Sequence, residues 1–415
     1  PAENVWKGKK SMQWKYLCSL LFLLLLLTSG CGMESKEEDL LGTIRTETEE
    51  IAELYRDIYE DAKTRNSLAD TETALALAAR LGESGFCVTD AENQNLINLT
   101  NHETMEAFCS LVDEGRDGEA VFFCVMQTGG LLRFDLTSAG GEVSVVRTVL
   151  SWEEEKPSVT YQSSYAADGW TYEDGCLFFE EAQPVAYDGA PGYTALRIQP
   201  LDEACLKWNR ECLRLVGYPS NNLFFLDWTE EDYGSLNFYD LFAILYPIAR
   251  GTQIPYEQTV DGSEYQVPAE EFASVIQTFF SIDSETLQQI EGYQPDTNSY
   301  VYQTRSFTNK AGSPNSPYPE AVSCRENADG TLTLTVRAVW PSEHLPQAFS
   351  HEVTIRPLPD GGFQFVSNRM LPSAEDVFPS WVEEVLGESI TASSSSRMTP
   401  TVFSAFSRTS RSASS

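Results

Sequence analysis

Three histidines, a scatter of cysteines and a dense set of carboxylates are the side chains of this chain that could do chemistry, and their spacing decides what kind. His102, His344 and His351 stand alone. None belongs to an HExxH motif or another paired-ligand spacing, so a metal site is not expected. Cysteine hydrolase chemistry needs an imidazole beside the thiol, and His102 and Cys109 are the nearest pair in sequence. On a helix they share a face, but a rise of 1.5 Å per residue separates them by roughly 10 Å, too far for direct proton transfer. A serine nucleophile would sit in Gly-x-Ser-x-Gly, and the nearest string, Gly82-Glu-Ser84-Gly85, lacks that spacing. Asp296-Thr-Asn298 begins like a calcium loop without the glycine and distal glutamate that complete one. No glycine-rich phosphate loop follows a strand pattern, so no cofactor is called for.

Carboxylates are the remaining candidates. Asp227, Glu230, Glu231 and Asp232 cluster beside Trp228 and Tyr233, and acids flanking aromatics could serve glycoside hydrolysis or sugar binding. The stretch reads more readily as a capped, solvated loop ahead of a helix at Phe238, because sequence neighbours rarely form a catalytic pair. Cys87, Cys109, Cys124, Cys176, Cys205, Cys212 and Cys324 are odd in number and contain no CxxC pair, so neither a disulfide framework nor a zinc site is indicated. Most read as small buried hydrophobes, and whether any disulfide forms depends on the redox state of the surroundings.

The clearest signal lies upstream of these residues. Met12 starts a short basic region, Tyr16–Leu27 is an apolar run, and Thr28-Ser29-Gly30 are small residues in front of Cys31. Residues 1–11 read as upstream translation, Met12 being the natural start. The pattern resembles the lipobox of bacterial lipoproteins, with Thr28 where leucine is commoner. That resemblance implies cleavage before Cys31, a diacylglycerol on the Cys31 thiol, and acylation of the new amino terminus. The apolar run has twelve residues against the roughly 20 needed to cross a bilayer core, so anchoring by lipid rather than by a spanning helix is expected.

Charge narrows the partners. The full chain carries a net −34; four of its 28 basic residues and one of its 62 acidic residues lie within residues 1–30, which leaves −37 on the remainder. Phosphate backbones and anionic head groups repel such a surface, so nucleic-acid binding is not expected and membrane contact should come through lipid alone.

Apolar periodicity supplies the elements that would position these residues. Residues 31–48 are polar enough for a tether. Ile51, Leu54, Tyr55, Ile58 and Ala62 form one stripe of a helix, and a second helix runs over Thr71–Leu81. A third covers Glu103–Val112. Strand patterns at Ala120–Met126, Leu131–Leu136, Val143–Trp152, Val159–Tyr165, Trp170–Tyr172, Cys176–Phe179 and Tyr193–Ile198 are punctuated by Gly129-Gly130, Gly140-Gly141 and Asp174-Gly175, as in an antiparallel meander. Helices after Asp202 and over Phe238–Leu245 complete a first α+β domain, residues 49–250. The polar stretch around Arg250–Val267 marks the boundary.

A second α+β domain, residues 251–372, opens with a helix at Pro268 carrying Phe272, Val275, Ile276 and Phe279, followed by strands at 300–307, 321–325, 331–340, 352–356 and 363–367. In the strand at Thr331, Leu332, Leu334, Val336, Ala338 and Trp340 alternate with Thr331, Thr333, Thr335 and Arg337, so one face is buried and the other wet. Helices followed by a curved antiparallel sheet, with hairpin turns at Asp329-Gly330 and Asp360-Gly361, resemble the cone-shaped fold of the nuclear-transport-factor-2-like superfamily. That resemblance implies a cone whose lining, here Phe272, Phe279, Phe280, Trp340, Phe363 and Phe365, holds a ligand or a partner; the same spacing also suits plain core. With the lipobox and the acidic body, Ile254-Pro-Tyr256 and Asp227–Tyr233 are similar to uncharacterised lipoproteins of gut Firmicutes. Residues 373–415 form a C-terminal segment whose tail, 391–415, has ten serines, three arginines and no acid, and should be disordered.

The expected protein is a lipid-anchored, extracytoplasmic, non-enzymatic binding or interaction module of the cell envelope, whose partner is an envelope protein or a small ligand. The alternative is a glycan or peptidoglycan hydrolase whose two carboxylates only folding brings together.

Overall fold

The computed structural model describes residues 33–153, 155–183, 192–256, 263–290, 292–303, 316–383 and 385–386. The leader, Cys31, the serine-rich tail and the end of the strand pattern at 304–307 lie outside these residues. The fold is α+β, in two compact units, residues 1–200 and 201–415.

The first unit begins with α1 (Met33–Ala52), a 3-10 turn (Glu53–Tyr55), α2 (Arg56–Arg65) and α3 (Thr71–Gly82). Strand β1 (Cys87–Thr89) and helix α4 (His102–Asp113) follow. Then come β2 (Gly118–Val125), β3 (Leu131–Ala139), β4 (Glu142–Glu153), β5 (Lys156–Glu173), β6 (Cys176–Glu181) and β7 (Tyr193–Arg197). All seven strands form one sheet in chain order, parallel at β1·β2 and antiparallel elsewhere. The two strand patterns at 159–165 and 170–172 are a single strand, β5, which bends at a bulge between Asp168 and Thr171 and pairs with β4 over its first part and β6 over its second.

Alternation along β2 and β3 buries both faces of this sheet. Phe122, Phe134, Leu136, Val145, Phe179 and Leu196 pack with Met105 and Phe108 of α4 on one side. Phe123, Val125, Leu131 and Leu150 pack with Ile51, Tyr55, Tyr59, Leu77 and Leu81 of the helices on the other. The turn between β2 and β3 has Gly129 at φ +76°. A Cβ on its neighbour Gly130 would stand 2.3 Å from the Leu150 carbonyl oxygen, so no other residue fits there without moving β4.

Residues 31–48 were expected to form a tether, and the structure corrects this from Met33 onward. Helix α1 is folded onto the sheet: Ile44 and Thr48 are buried, Gln162 of β5 donates to the Leu41 carbonyl at 3.2 Å, and the Val159 amide donates to Glu49 at 3.2 Å. Local polarity misleads because this helix docks through polar side chains. Arg133, only 5% exposed, donates to both oxygens of Asp135, to Glu47 at 3.2 Å and to the Thr48 hydroxyl at 3.2 Å. Two carboxylates on one guanidinium make burial of the charges tolerable.

The edges of the sheet approach each other. The loop after β1 carries Asn93 and Asn95 in left-handed backbone conformation, and their amides replace a missing strand along β7. Asn93 accepts from the Ala195 amide at 2.6 Å and donates to the Tyr193 carbonyl at 3.3 Å; Asn95 accepts from the Arg197 amide at 2.9 Å and donates to the Ala195 carbonyl at 3.0 Å. The sheet is therefore curled until β7 meets the continuation of β1, and the exposed edge is covered.

The second unit contains α5 (Glu203–Trp208), a π-helical turn (Asn209–Leu213), α6 (Arg214–Val216), β8 (Trp228–Thr229), α7 (Phe238–Arg250), β9 (Glu264–Pro268), α8 (Ala269–Phe279) and α9 (Ser284–Leu287). After these come β10 (Tyr293–Gln294), β11 (Ser299–Gln303), β12 (Tyr318–Glu326), β13 (Leu332–Val339), β14 (Ser350–Pro357) and β15 (Phe363–Met370). Strands β10-β11-β9 form a small sheet, and β12-β13-β14-β15-β8 an antiparallel sheet of five. Cys205, Trp208, Phe224, Phe238, Leu241 and Phe242 share one core with Phe272, Ile276, Val336 and Phe365. The boundary therefore falls at residues 200 and 201 rather than in the polar stretch at 250–267, because the helices ahead of that stretch bury their apolar faces against the later sheet.

Candidate functional site

Each residue considered for chemistry now has a place. Cys31 lies outside the described residues. His102 opens α4 and approaches Glu103 at 3.6 Å, while Cys109 of the same helix is buried in the core, its thiol pushed up to about 12 by burial. The seven cysteines downstream of Cys31 are free thiols, and six are buried. Ser84 sits on an exposed turn. Asn298 accepts from the Tyr293 hydroxyl at 2.9 Å within a tight turn. Among the described residues no group of three or more His, Cys, Asp or Glu side chains could hold a metal ion, and no helix is long and apolar enough to cross a membrane.

His351 is wholly buried in the second unit between two partners. The Asn368 amide is oriented by donating to the Leu226 carbonyl at 2.8 Å, so its oxygen faces His351 Nδ1 at 2.7 Å. This places the ring proton on Nδ1, and Nε2 accepts from the Tyr218 hydroxyl at 3.0 Å. Burial pushes the imidazole down to about 4, the Asn368 bond opposing it, so His351 is neutral at ordinary pH. It is a satisfied core histidine.

The buried Asp90 and the half-buried Glu92 of the first unit are equally structural. Asp90 accepts from the Leu96 and Ile97 amides, and Glu92 from Arg147 at 2.7 Å and Thr194 at 3.0 Å. Burial pushes both upward, and both pin the loop that carries Asn93 and Asn95.

The acidic stretch at 227–233 forms a site. Instead of capping the helix at Phe238, a role taken by Asn237, it adds a strand: Trp228 and Thr229 of β8 pair with Asn368 and Ser367 of β15, and a tight bridge joins Thr229 to Asp232. Trp228 is buried and stacks near Tyr233 at 5.9 Å. Glu230 is drawn into a bidentate pair with Arg356 at 2.7 and 2.9 Å. Asp227 and Asp232 remain on the exposed side, accepting from the Met370 amide at 2.7 Å and the Gly234 amide at 3.0 Å.

With the wet face of the sheet, these two acids line an open groove of about 460 Å³. Its floor is ordered by strand register. Arg325 lies opposite Thr333, Thr333 opposite Thr354, Thr354 opposite Ser367, and Ser367 opposite Thr229, so one row of hydroxyls crosses four strands. The Thr333 and Thr354 hydroxyls are 3.3 Å apart. A neighbouring row places Thr335 opposite Glu352 and Glu352 opposite Arg369, and Glu352 and Arg369 form an ion pair. The alternation at Thr331 announced a wet face, which holds from Thr335 onward, whereas Thr331 and Thr333 are buried and hydrogen-bonded to Asp329 and Asn327; the partners of Thr333 on β14, β15 and β8 carry no sequence signal, because register alone aligns them.

A second open groove, about 500 Å³, runs beside α8 past Glu270, Ser274, Gln277 and Gln288. The six rings considered as a cone lining are packed on one another and on the shared core, with Phe279 to Phe363 at 5.7 Å, Phe363 to Phe365 at 5.1 Å and Phe280 to Phe365 at 5.6 Å.

Compared with known families, residues 42–384 match DUF6070, described as a family of unknown function. No curated protein and no solved structure matches the chain.

Proposed function

We propose that this chain, which belongs to the family of unknown function DUF6070, is a lipid-anchored, extracytoplasmic binding module of the cell envelope, held at the membrane through the Cys31 thiol. The observation that carries the binding reading is the open groove on the wet face of the second unit's sheet, with its ordered polar floor and its charged walls. A site made to bind presents hydrogen-bonding groups in fixed positions, and strand register fixes these. The anchor rests on the leader and the small residues before Cys31, and the net charge of −37 beyond residue 30 argues against nucleic acid as the partner. The order of elements in the second unit, helices ahead of a curled antiparallel sheet, supports reading it as a variant of the nuclear-transport-factor-2 cone, with its interior given to packing.

The hydrolase alternative needs two carboxyls facing one bond, one of them held in a water-excluded setting. Asp227 and Asp232 are exposed, and Glu352 is paired with Arg369, so the groove gives that setting to none of its three acids. A non-enzymatic role accounts better for this arrangement. Replacing Cys31 by alanine should abolish labelling by palmitate and shift the protein from the membrane to the soluble fraction. Unchanged labelling rejects the anchor, and release of new reducing ends from purified peptidoglycan rejects the non-enzymatic reading.

A further inference from the structure

We infer that the groove of the second unit binds a polysaccharide strand laid across β13, β14, β15 and β8, with the hydroxyls of Thr354, Ser367 and Thr229 as its floor and the buried Thr333, held by Asn327, orienting Thr354. This rests on the reading of that groove as a binding site and names the class of ligand.

Four features of the groove point to a glycan. Hydroxyls both donate and accept, so a row of them suits a ligand that presents hydroxyls in turn, each of which also does both. Neighbouring strands stand about 4.8 Å apart, which is comparable with the length of one sugar ring, so a chain crossing the strands meets one hydroxyl per ring. Asp227 and Asp232 at one end and Arg325 at the other are planar groups able to bridge two adjacent hydroxyls. The groove is open along the sheet, so a polymer can pass over it without an end having to enter.

The same features disfavour other ligands. Three carboxylates against two arginines, on a chain of net charge −34, repel a polyphosphate or nucleic acid. Among the described residues the only large apolar one lining the groove is Trp228, itself buried, so an acyl chain or an apolar peptide finds little to cover. The walls are too mixed in sign to demand an ion.

The test uses the full chain, chitotetraose and the dipeptide L-Ala-D-Glu as soluble probes, and purified peptidoglycan stripped of its anionic polymers as the solid one. Chitotetraose should shift the amide resonances of 333, 354 and 367, and the protein should be retained on the solid. The double variant Thr354→Val, Ser367→Ala should bind chitotetraose about tenfold more weakly, as expected for two lost hydrogen bonds at the same backbone geometry. Arg325→Ala, at an exposed position, should weaken it several-fold and serves if the double variant does not fold. Ser274→Ala, in the other groove, should change nothing.

Equal binding by the folded double variant or by Arg325→Ala overturns the inference. So does a groove that responds to the dipeptide and not to chitotetraose, an outcome that leaves the binding-module reading standing. A groove that shortens chitotetraose overturns the module reading instead, while the glycan assignment survives.

Discussion

The two large sheets of this molecule handle polar groups in opposite ways. In the first unit both faces of the sheet are covered along β2 and β3, so polar side chains between the layers need internal partners: Arg133 finds Asp135, Glu47 and Thr48, and Glu92 finds Arg147 and Thr194. In the second unit, among the described residues, the face of the five-stranded sheet turned away from the core keeps Thr229, Thr335, Thr354, Ser367 and its ion pairs at least partly open to solvent, while Thr331 and Thr333 at its end are buried. A doubly covered sheet spends its polar residues on internal order. A half-covered one leaves them available to a ligand.

The largest expected effect tests the covered sheet. Arg133→Met leaves the carboxylates of Asp135 and Glu47 buried without their cation and should cost about 3–5 kcal/mol, read as a fall in the urea midpoint with m unchanged. A loss below 1 kcal/mol would mean that α1 lifts off and lets water reach the pair.

Next comes pH, which should move the two units in opposite directions. The folded state depresses His351 from the ordinary imidazole value to about 4. Its contribution is therefore present above pH 6.5 and lost as pH falls toward 4, at about 1.4 kcal/mol per unit and roughly 3 kcal/mol in all. Asp90 and Glu92 are raised, so their contribution is full below the unfolded carboxylate range and declines as pH rises. Acidification from pH 7 to 4 should weaken the second unit more than the first. Pepsin at pH 4 should cut first within residues 201–386, and first cuts in β2–β4 would contradict this.

Asn95→Ala should cost about 2–3 kcal/mol in thermal unfolding, since it leaves the Arg197 amide and the Ala195 carbonyl without partners at a buried edge. Retained stability there would show that the curled edge does not need its amide zipper. The smallest effect belongs to the wet sheet: Arg356→Gln breaks an ion pair about one-third exposed, and surface screening limits the cost to about 1 kcal/mol or less. A larger loss would make that face less solvated than its residues suggest.

How much of this was legible beforehand follows from the range of each interaction. Helices α3 and α4, the hairpin at Gly129-Gly130 and the alternating strand at Thr331 depend on neighbours in sequence, and periodicity finds them. The docking of α1 does not, because its decisive contact joins Glu47 to Arg133 across the chain, and a polar surface helix and a polar tether look alike. The π-helical turn at Asn209 is similar: its side chain accepts from the Ala321 amide at 2.6 Å, beside a bulge in β12, and neither irregularity is written locally. At 227–233 the composition marked a place of interest. Its geometry depended on which strand it would join, and Ser367 and Asn368 decide that from far away.

Docking of α1 also sets a radius of action. With the lipid on Cys31 as proposed, nine residues separate Cys31 from Leu41, whose carbonyl is already fixed to Gln162 of β5. Because the chain from Met33 to Leu41 is already helix α1, this stretch advances at the helical rise and reaches roughly 15 Å. The first unit would thus ride at the bilayer's outer surface on a short lead, patrolling laterally rather than sampling the depth of the wall.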